Sequence, residues 1–501
     1  MDEATLLIKN ANILTLDEKN TEAGAVAVAG GKIIGVWQEA EPSADQIRIT
    51  ERTKVVDLHG DTLIPGFIDT HNHILMYALM QDMVDCSTPP NKRIGDILRA
   101  LQEKANVTET GNWIEGFGYD DTLLEEHRHP TKEDLDRVST EHPIFVKHIS
   151  SHLAVVNSKA LKLAGLTKDT EDMPGGHFGR NGHGELNGVL YEPAAMFSVQ
   201  KLIPEKALDE KIALVAKVTK EYLAAGITTN TDAAVTDLTS LDVHIEAANQ
   251  GLNPMRTQLM VMHDLMRQDA PFGAYTADEL DKELRDRSND LVRLDSAKMF
   301  QDGSIQGLTG ALREPYYNQP EVYGDLVHDQ ADFQEEVLDL HKRNFRIATH
   351  GNGDRAIGSI LDAYEYALAK EPRLHHRHRI EHVQAGQPED LEKMQRLEIA
   401  GSFFINHVYF WGDRHANIFL GPERGSRISP LNEAVNRELL FTLHSDCPIT
   451  PISPLFSIWA AVNRVTREGE ILGPEQRIDG PEINDNLRGG TYFSGGPAWK
   501  Y

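Results

Sequence analysis

Two histidines one residue apart, His71 and His73, close the run Phe67-Ile68-Asp69-Thr70-His71-Asn72-His73. Side chains of an extended strand alternate between faces, so both imidazoles point the same way. Neutral imidazoles on one side of a strand end are suited to sharing a divalent ion. His-X-His is a weak signal alone, and the lead-in Pro65-Gly66-Phe67-Ile68-Asp69 strengthens it. Further ligands must come from other strand ends. His350 follows Ile347-Ala348 and precedes Gly351-Asn352-Gly353-Asp354, a loop that opens a helix. His382 ends Arg379-Ile380-Glu381-His382, with Glu381 expected on the opposite face of that strand. Asp446 follows a buried-looking strand over 439–443 and precedes Cys447-Pro448. Each of these alone reads as a satisfied buried histidine or a turn-capping carboxylate. Together they recur where a (β/α)8 barrel carries its chemistry, at the C-terminal strand ends.

A carboxylate placed like Asp446 binds metal and also takes a proton from metal-bound water. His444, two residues earlier, shares its face and either contacts substrate or hydrogen-bonds Asp446. Lys298 lies in Ser296-Ala297-Lys298-Met299-Phe300, ahead of Gln301-Asp302-Gly303-Ser304. A charged lysine is costly to bury in a strand. Carbamylation, which makes it an anionic ligand able to bridge two ions, is one remedy. A salt bridge, with Asp302 at hand, is the other, and the residues alone leave both open.

The elements that must position these groups change character along the chain. The first ~60 residues read as short strands between turns: Leu6-Leu7-Ile8, Ile13 to Leu16, Ala25 to Val28, Ile33 to Val36 and Val55 to Leu58. They predict a small antiparallel β module. From Leu63, strands alternate with amphipathic helices, the pattern of a parallel sheet with crossover helices. In residues 208–225, Leu208, Ile212, Val215, Tyr222 and Leu223 fall on one stripe, Gly226 stops the helix, and Ile227-Thr228-Thr229 starts a strand. The segment from Gly480 to Tyr501 has loop chemistry and no periodic apolar face.

Fifty basic against 77 acidic side chains leave a net charge of −27, which repels nucleic acid and anionic membranes. Neither is expected as a partner. Two cysteines, Cys86 and Cys447, build no disulfide framework and point to a reducing compartment. With no apolar core of signal-peptide length in MDEATLLIKN and no apolar run of bilayer length, the expected location is the cytoplasm. Composition leaves a homo-oligomer open.

These strings, in this order, resemble the amidohydrolase superfamily, and within it the family 3 branch that includes N-substituted formamide deformylases. The similarity rests on residues 65–73, 298–304, Thr349-His350 with Gly353-Asp354-Arg355-Ala356, His378 to Gln384, and Ser445-Asp446-Cys447-Pro448. Ser151-His152-Leu153-Ala154, Gly188-Val189-Leu190-Tyr191-Glu192 and the stretch His407 to His415 look like the same branch, and the resemblance spans about residues 5–478. It implies an α/β fold: a distorted (β/α)8 TIM-like barrel with a small β-sandwich built from both chain ends. It makes His71, His73, His350, His382 and Asp446 metal ligands, and Lys298 a carbamylated bridge, with Glu192 the rival bridge or a substrate contact. The chain departs from the family after Pro474-Glu475-Gln476-Arg477-Ile478, where Asp479-Gly480-Pro481 leads into a glycine-rich end. A sandwich short of strands, with an exposed sheet edge, is therefore expected. The division read here is 1–62 for the sandwich part, 63–478 for the barrel and 479–501 for an atypical, disordered or loosely docked tail.

The reaction implied is hydrolysis of the C–N bond of a small amide, N-substituted formamide-like, by hydroxide made at one or two divalent ions. Zinc suits the ligand set, while iron, manganese or nickel are also accommodated. Asp446 moves the proton, and a metal ion or His152 polarises the carbonyl. Phe410, Trp411 and Tyr119 are candidates to line an apolar pocket. Ester or cyclic-amide hydrolysis, or deamination, is the alternative. A non-catalytic protein on this scaffold is a weaker one, because every candidate ligand is present.

Overall fold

Eight strands form one sheet in the computed structural model, which describes residues 3–17, 21–173 and 175–479. In chain order they are β1 (Phe67–Asn72), β2 (Ile227–Val235), β3 (Arg256–Met262), β4 (Val292–Phe300), β5 (Ile347–Gly351), β6 (Arg379–His382), β7 (Ala400–Phe403) and β8 (Phe441–Leu443). Each pairs in parallel with the next. The two ends of the sheet meet. Thr70 Oγ1 lies 2.9 Å from Thr442 Oγ1, Ser445 Oγ donates to Asp69 Oδ2 at 3.3 Å, and the His73 N–H donates to the Cys447 carbonyl at 2.7 Å. The sheet thus curls into a (β/α)8 barrel whose β8–β1 seam is bridged by side chains and loop backbone.

Parallel strands covered by helices bury both faces and read as near-continuous runs. β5 and β6 are buried along their whole length, and β4 along all but Phe300. The helix Leu208–Ala224 shows how its sequence places it: Ile212, Val215, Val218, Thr219 and Tyr222 face the barrel. Leu208 and Leu223, expected on that stripe, are exposed: Leu208 is the first residue of the helix, and at 100° per residue Leu223 lies at the edge of the stripe. Gly226, at φ +82°, ends the helix in a conformation that costs glycine little, and β2 starts at once.

The N-terminal strands form two small sheets that share Ile8, Ile13, Val26 and Leu63 as apolar contacts. Leu6–Lys9 pairs antiparallel with Ala25–Ala29 but parallel with Lys54–Asp57, and Asn12–Leu14 pairs parallel with Thr62–Leu63. The module is mixed, where an antiparallel one was expected, because residues 38–53 carry the chain back so that two strands re-enter in the direction of their partners. Ile33, Val36 and Val55 on its outer strands are exposed.

Between β1 and β2 stands a six-stranded sheet absent from the sequence reading, which treats residues 63–478 as one barrel. Its order is His177–Arg180, Leu186–Tyr191, Leu153–Val156, Ile144–His148, Ile114–Tyr119, Val84–Asp85. One apolar cluster packs it against the helix Ile94–Ala105, and a second against Ser158–Leu163 and Glu192–Gln200. Among the described residues no helix is long and apolar enough to cross a membrane. Apart from Asp479, the tail read at 479–501 lies outside the described residues.

Phe345, fully buried ahead of β5, tests the packing. Phe345→Ala is expected to cost about 3–5 kcal/mol, a large-to-small change in a core that collapses only partly. The measurement is the urea midpoint of the barrel, which should fall while the far-UV spectrum of the folded protein stays unchanged.

Candidate metal centre

The imidazole of His71 points into the barrel from the end of β1, and His73 stands one step beyond, ahead of the helix Ile74–Met80. Their Nε2 atoms each lie 3.2 Å from Asp446 Oδ1. That oxygen is buried and takes no well-aligned hydrogen bond. His71 Nδ1 lies 2.5 Å from Glu381 Oε2, so Nδ1 carries the proton it donates and Nε2 keeps its lone pair. A lone pair and a carboxylate oxygen facing one another in a buried site call for a cation between them. The donor set therefore fits a metal ion.

His382 and His350 complete the ring around this point. The His71 and His382 ring centroids are 4.9 Å apart, and those of His350 and His382 4.4 Å. His382 adopts φ +73° and Asp446 φ +53°, left-handed conformations that turn both side chains inward at the strand ends. Burial pushes the His350 and His382 imidazoles well below their ordinary range, which keeps them neutral and able to act as ligands. Burial alone would raise the Asp446 carboxyl; positive charge on the His71 and His73 side, which a bound cation would supply in place of a proton, holds it well below the usual range and hence ionised.

Comparison with known proteins shows the family and the fold. A model described as the amidohydrolase family matches residues 54–491. N-substituted formamide deformylase of Arthrobacter pascens is 30% identical over 481 residues, 95% of this chain and 87% of that one. Protein LONG AFTER FAR-RED 3 of Arabidopsis thaliana is 30% identical over 474 residues, 92% and 78% of the two chains. The crystal structure of an uncharacterized metal-dependent hydrolase from Pyrococcus horikoshii superposes with a TM-score of 0.74 at 22% identity, over 98% of this chain and 92% of that one, a likeness of fold. The chain belongs to the amidohydrolase family. It is accordingly a hydrolase acting on carbon–nitrogen bonds.

Below the centre of this amidohydrolase runs a ladder of buried charges of alternating sign. Arg346 Nη1 lies 3.1 Å from Asp295 Oδ1, Asp295 Oδ2 4.0 Å from Arg379 Nη2, and the Arg379 Nε–H donates to Glu381 Oε1. Glu381 then holds His71. The sequence reading put Glu381 on the outer face of β6; it lies inside. Glu381 takes the inner face by the regular alternation of β6, and the left-handed turn at His382 brings that residue to the interior beside it.

Lys298 projects from β4, nearly completely buried, with its Nζ 4.9 Å from the Phe300 ring centroid. Burial lowers its pKa to about 8 against the opposing pull of Glu381 and Asp446. The alternative salt bridge to Asp302 is not formed. Asp302 instead accepts backbone N–H groups from Ala311, Asn352 and Gly353 at 2.8–3.0 Å, and burial raises its carboxyl to about 7.

The inserted sheet brings His152 and Glu192 to the mouth of the barrel, joined through Nδ1 and Oε2 at 2.8 Å. The His152 ring is 6.0 Å from His350. His444 stacks on His71 at 4.6 Å and its Nε2 lies 3.2 Å from His382 Nδ1, so of the two expected roles, substrate contact or a hydrogen bond to Asp446, the second is not formed. Trp411 and Phe410 line a cavity beside the centre, and Trp411 Nε1 lies 3.4 Å from Asp120 Oδ2. Tyr119 does not join them: it is fully buried in the core of the inserted sheet, its hydroxyl 3.2 Å from His129 Nδ1. Aromatic type suggested it, and strand position decided against it. Asn352, Gln384 and His407 border the centre without having been singled out. Asn352 Oδ1 and Gln384 Oε1 are buried with no hydrogen-bond partner, and nothing in their sequence context marks them.

Arg379→Met tests the charge ladder. It leaves Glu381 buried without its guanidinium partner, for which a loss of about 3–5 kcal/mol is expected. Removing both charges in Arg379→Met with Glu381→Leu should recover part of that loss in chemical denaturation.

Proposed function

We propose that this chain is a metal-dependent hydrolase that cleaves the C–N bond of a small amide of N-substituted formamide type. The observation that carries the reading is the convergence of His71 Nε2 and His73 Nε2 on an Asp446 oxygen that lacks a hydrogen bond. The relative in Arthrobacter pascens supports the substrate type by its name.

His71, His73, His350, His382 and Asp446 would hold the ion, with zinc favoured by their nitrogen and oxygen donors. A divalent ion there supplies a Lewis acid and lowers the pKa of bound water from ~15.7 to about 7. Lys298, lowered to about 8 by burial and without an ion pair among the described residues, is neutral for a larger fraction than an ordinary lysine, which favours carbamylation. We assign Lys298, as its carbamate, to the set that would hold metal and Glu192 to the support of His152. Asp446, ionised and buried, takes the proton of the attacking water and returns it to the departing nitrogen. His152, fixed through Nδ1, keeps Nε2 for the carbonyl oxygen. Both cysteines are buried and unpaired, which supports a reducing compartment such as the cytoplasm.

Metal analysis of purified protein decides the reading. Stoichiometric divalent metal is expected, lost in His71→Ala; a metal-free protein, or unchanged content in the variant, would refute it. Glu381→Gln should weaken metal affinity about 10–100-fold in competition with a chelator. Reconstitution of apo-protein should depend on bicarbonate, and indifference to bicarbonate would remove the carbamate from Lys298. Asp446→Asn should lower kcat about 10²–10⁴-fold, as loss of a proton-transfer group does.

A further inference from the structure

Outside the barrel wall, two imidazoles converge on a second carboxylate. His263 follows β3 directly, and Met262, the last residue of β3, is level with Lys298 of β4. Met262 therefore shares the face of Lys298, and His263 takes the other. His328 lies just ahead of the helix Gln330–Lys342, its ring stacked at 5.5 Å on that of Phe333, which is fully buried. Glu336 stands one helical turn beyond Phe333 and so shares its face. Gln301, the residue after β4, fixes the His328 backbone: its Oε1 accepts the His328 N–H at 3.2 Å and its Nε2 donates to the His328 carbonyl at 3.3 Å. His328 Nδ1 then lies 3.5 Å and His263 Nε2 3.6 Å from Glu336 Oε2.

Those separations decide between a hydrogen-bonded cluster and an ion. Tetrahedral zinc, with bonds of about 2.0–2.1 Å, sets its ligand atoms about 3.3–3.5 Å apart. The distances at Glu336 Oε2 are close to that and too long for good hydrogen bonds. Oε2 is buried and, among the described residues, has no hydrogen-bond partner. Its twin, Oε1, takes Arg267 Nη2 at 3.1 Å, and the same nitrogen lies 3.0 Å from His263 Nε2. A guanidinium only donates, so His263 Nε2 presents its lone pair. An imidazole lone pair beside an unpartnered carboxylate oxygen calls for a cation, and Arg267 reaches the pair only from the side. Its side chain is half exposed and already has Asp264 Oδ1 3.1 Å from Nη1, so it can turn to Asp264 as an ion enters.

We propose that His263, His328 and Glu336 form a second cation site, separate from the catalytic centre, which takes a divalent ion of the zinc class on two nitrogens and one oxygen. One donor atom of each residue lies within 4.8 Å of the others. The nitrogen donors favour zinc over calcium or magnesium, and water completes the coordination. The ligands stand on three elements: the end of β3, the segment after β4, and the helix Gln330–Lys342. An ion there fastens that segment and that helix to the barrel wall. Its role is structural, because an ion that binds the folded chain raises its stability by mass action. With three ligands and a partly exposed carboxylate, this site is weaker than the five-ligand centre and fills after it.

Zinc alone is the probe. The purified full chain is freed of loosely held metal by dialysis and titrated with zinc against a chromophoric chelator. One further equivalent is expected, together with a rise in melting temperature. His328→Ala should weaken that equivalent at least about tenfold, since loss of a mere supporting contact already costs about 10–100-fold. Arg267→Met should tighten it about tenfold, by removing a positive charge beside the ion. His71→Ala, at the proposed catalytic centre, should leave it in place. No further equivalent, or one that His328→Ala binds equally well, overturns the proposal. Loss of the equivalent in His71→Ala also overturns it, because the ion then belongs to the centre. If His328→Ala does not fold, Arg267→Met decides: tighter binding supports the site, and unchanged or weaker binding overturns it.

Discussion

A carboxylate buried at the end of β6, Glu381, lies between the guanidinium of Arg379 and the imidazole of His71. Taking an ion out of water costs several kcal/mol, and a buried anion persists only when its oxygens are well partnered. Here the partners lie on different strands. Arg379 also donates to the Thr70 carbonyl of β1, so β1 and β6 are tied across the barrel by one cluster. His71 is oriented by the contact of its Nδ1 with Glu381. The direction of its Nε2, and with it the point where a cation fits, follows from charges placed one layer below.

The residues above that layer achieve their aim through backbone strain. His382, Val383, Asp446 and Glu192 all have positive φ, and none is glycine. Such conformations cost on the order of 1–3 kcal/mol each and persist where their surroundings over-determine them. The surroundings are visible: His382 contacts His444, which is pinned by Ser402 of β7, and Glu192 is held by His152. Strain is concentrated where strands end and side chains must turn inward. The barrel below supplies the rigidity, through strands whose burial is nearly complete.

This division explains which features could be read from the sequence. His71, His350 and Asp446 stood out because each is a polar residue ending an apolar run, a signal that survives without coordinates. The alternating helices and strands gave the barrel for the same reason. Glu381 was assigned to the wrong side because period-two alternation, applied from His382, has no means of registering a left-handed residue at the strand end. The inserted sheet was invisible because Ile114–Tyr119 and Ile144–His148 are apolar runs like those of the barrel, and only long-range pairing distinguishes them. Tyr119 failed as a pocket residue for a related reason. Its neighbours Gly118 and Asp120 line the cavity, and the next step along the same strand points into the core. Asn352 and Gln384 carry no periodic or compositional mark, since their relevance lies in amide oxygens left without partners after folding.

The insertion also separates two tasks that a bare barrel would have to combine. The groups proposed to hold the ion come from β1, β4, β5, β6 and the segment after β8, whose relative positions are set by the parallel ladder and by the charge ladder beneath it. His152, Glu192 and the Phe117 and Val84 walls of the cavity beside the centre come from the inserted sheet, which packs its own core and contributes none of the barrel strands. Substitutions in that sheet can change cavity shape without disturbing the β1–β6 tie that orients His71. Substitutions in the tie reach the centre through His71, whose Nδ1 Glu381 holds. Substrate selectivity is therefore the freer property of this architecture, and water activation the constrained one.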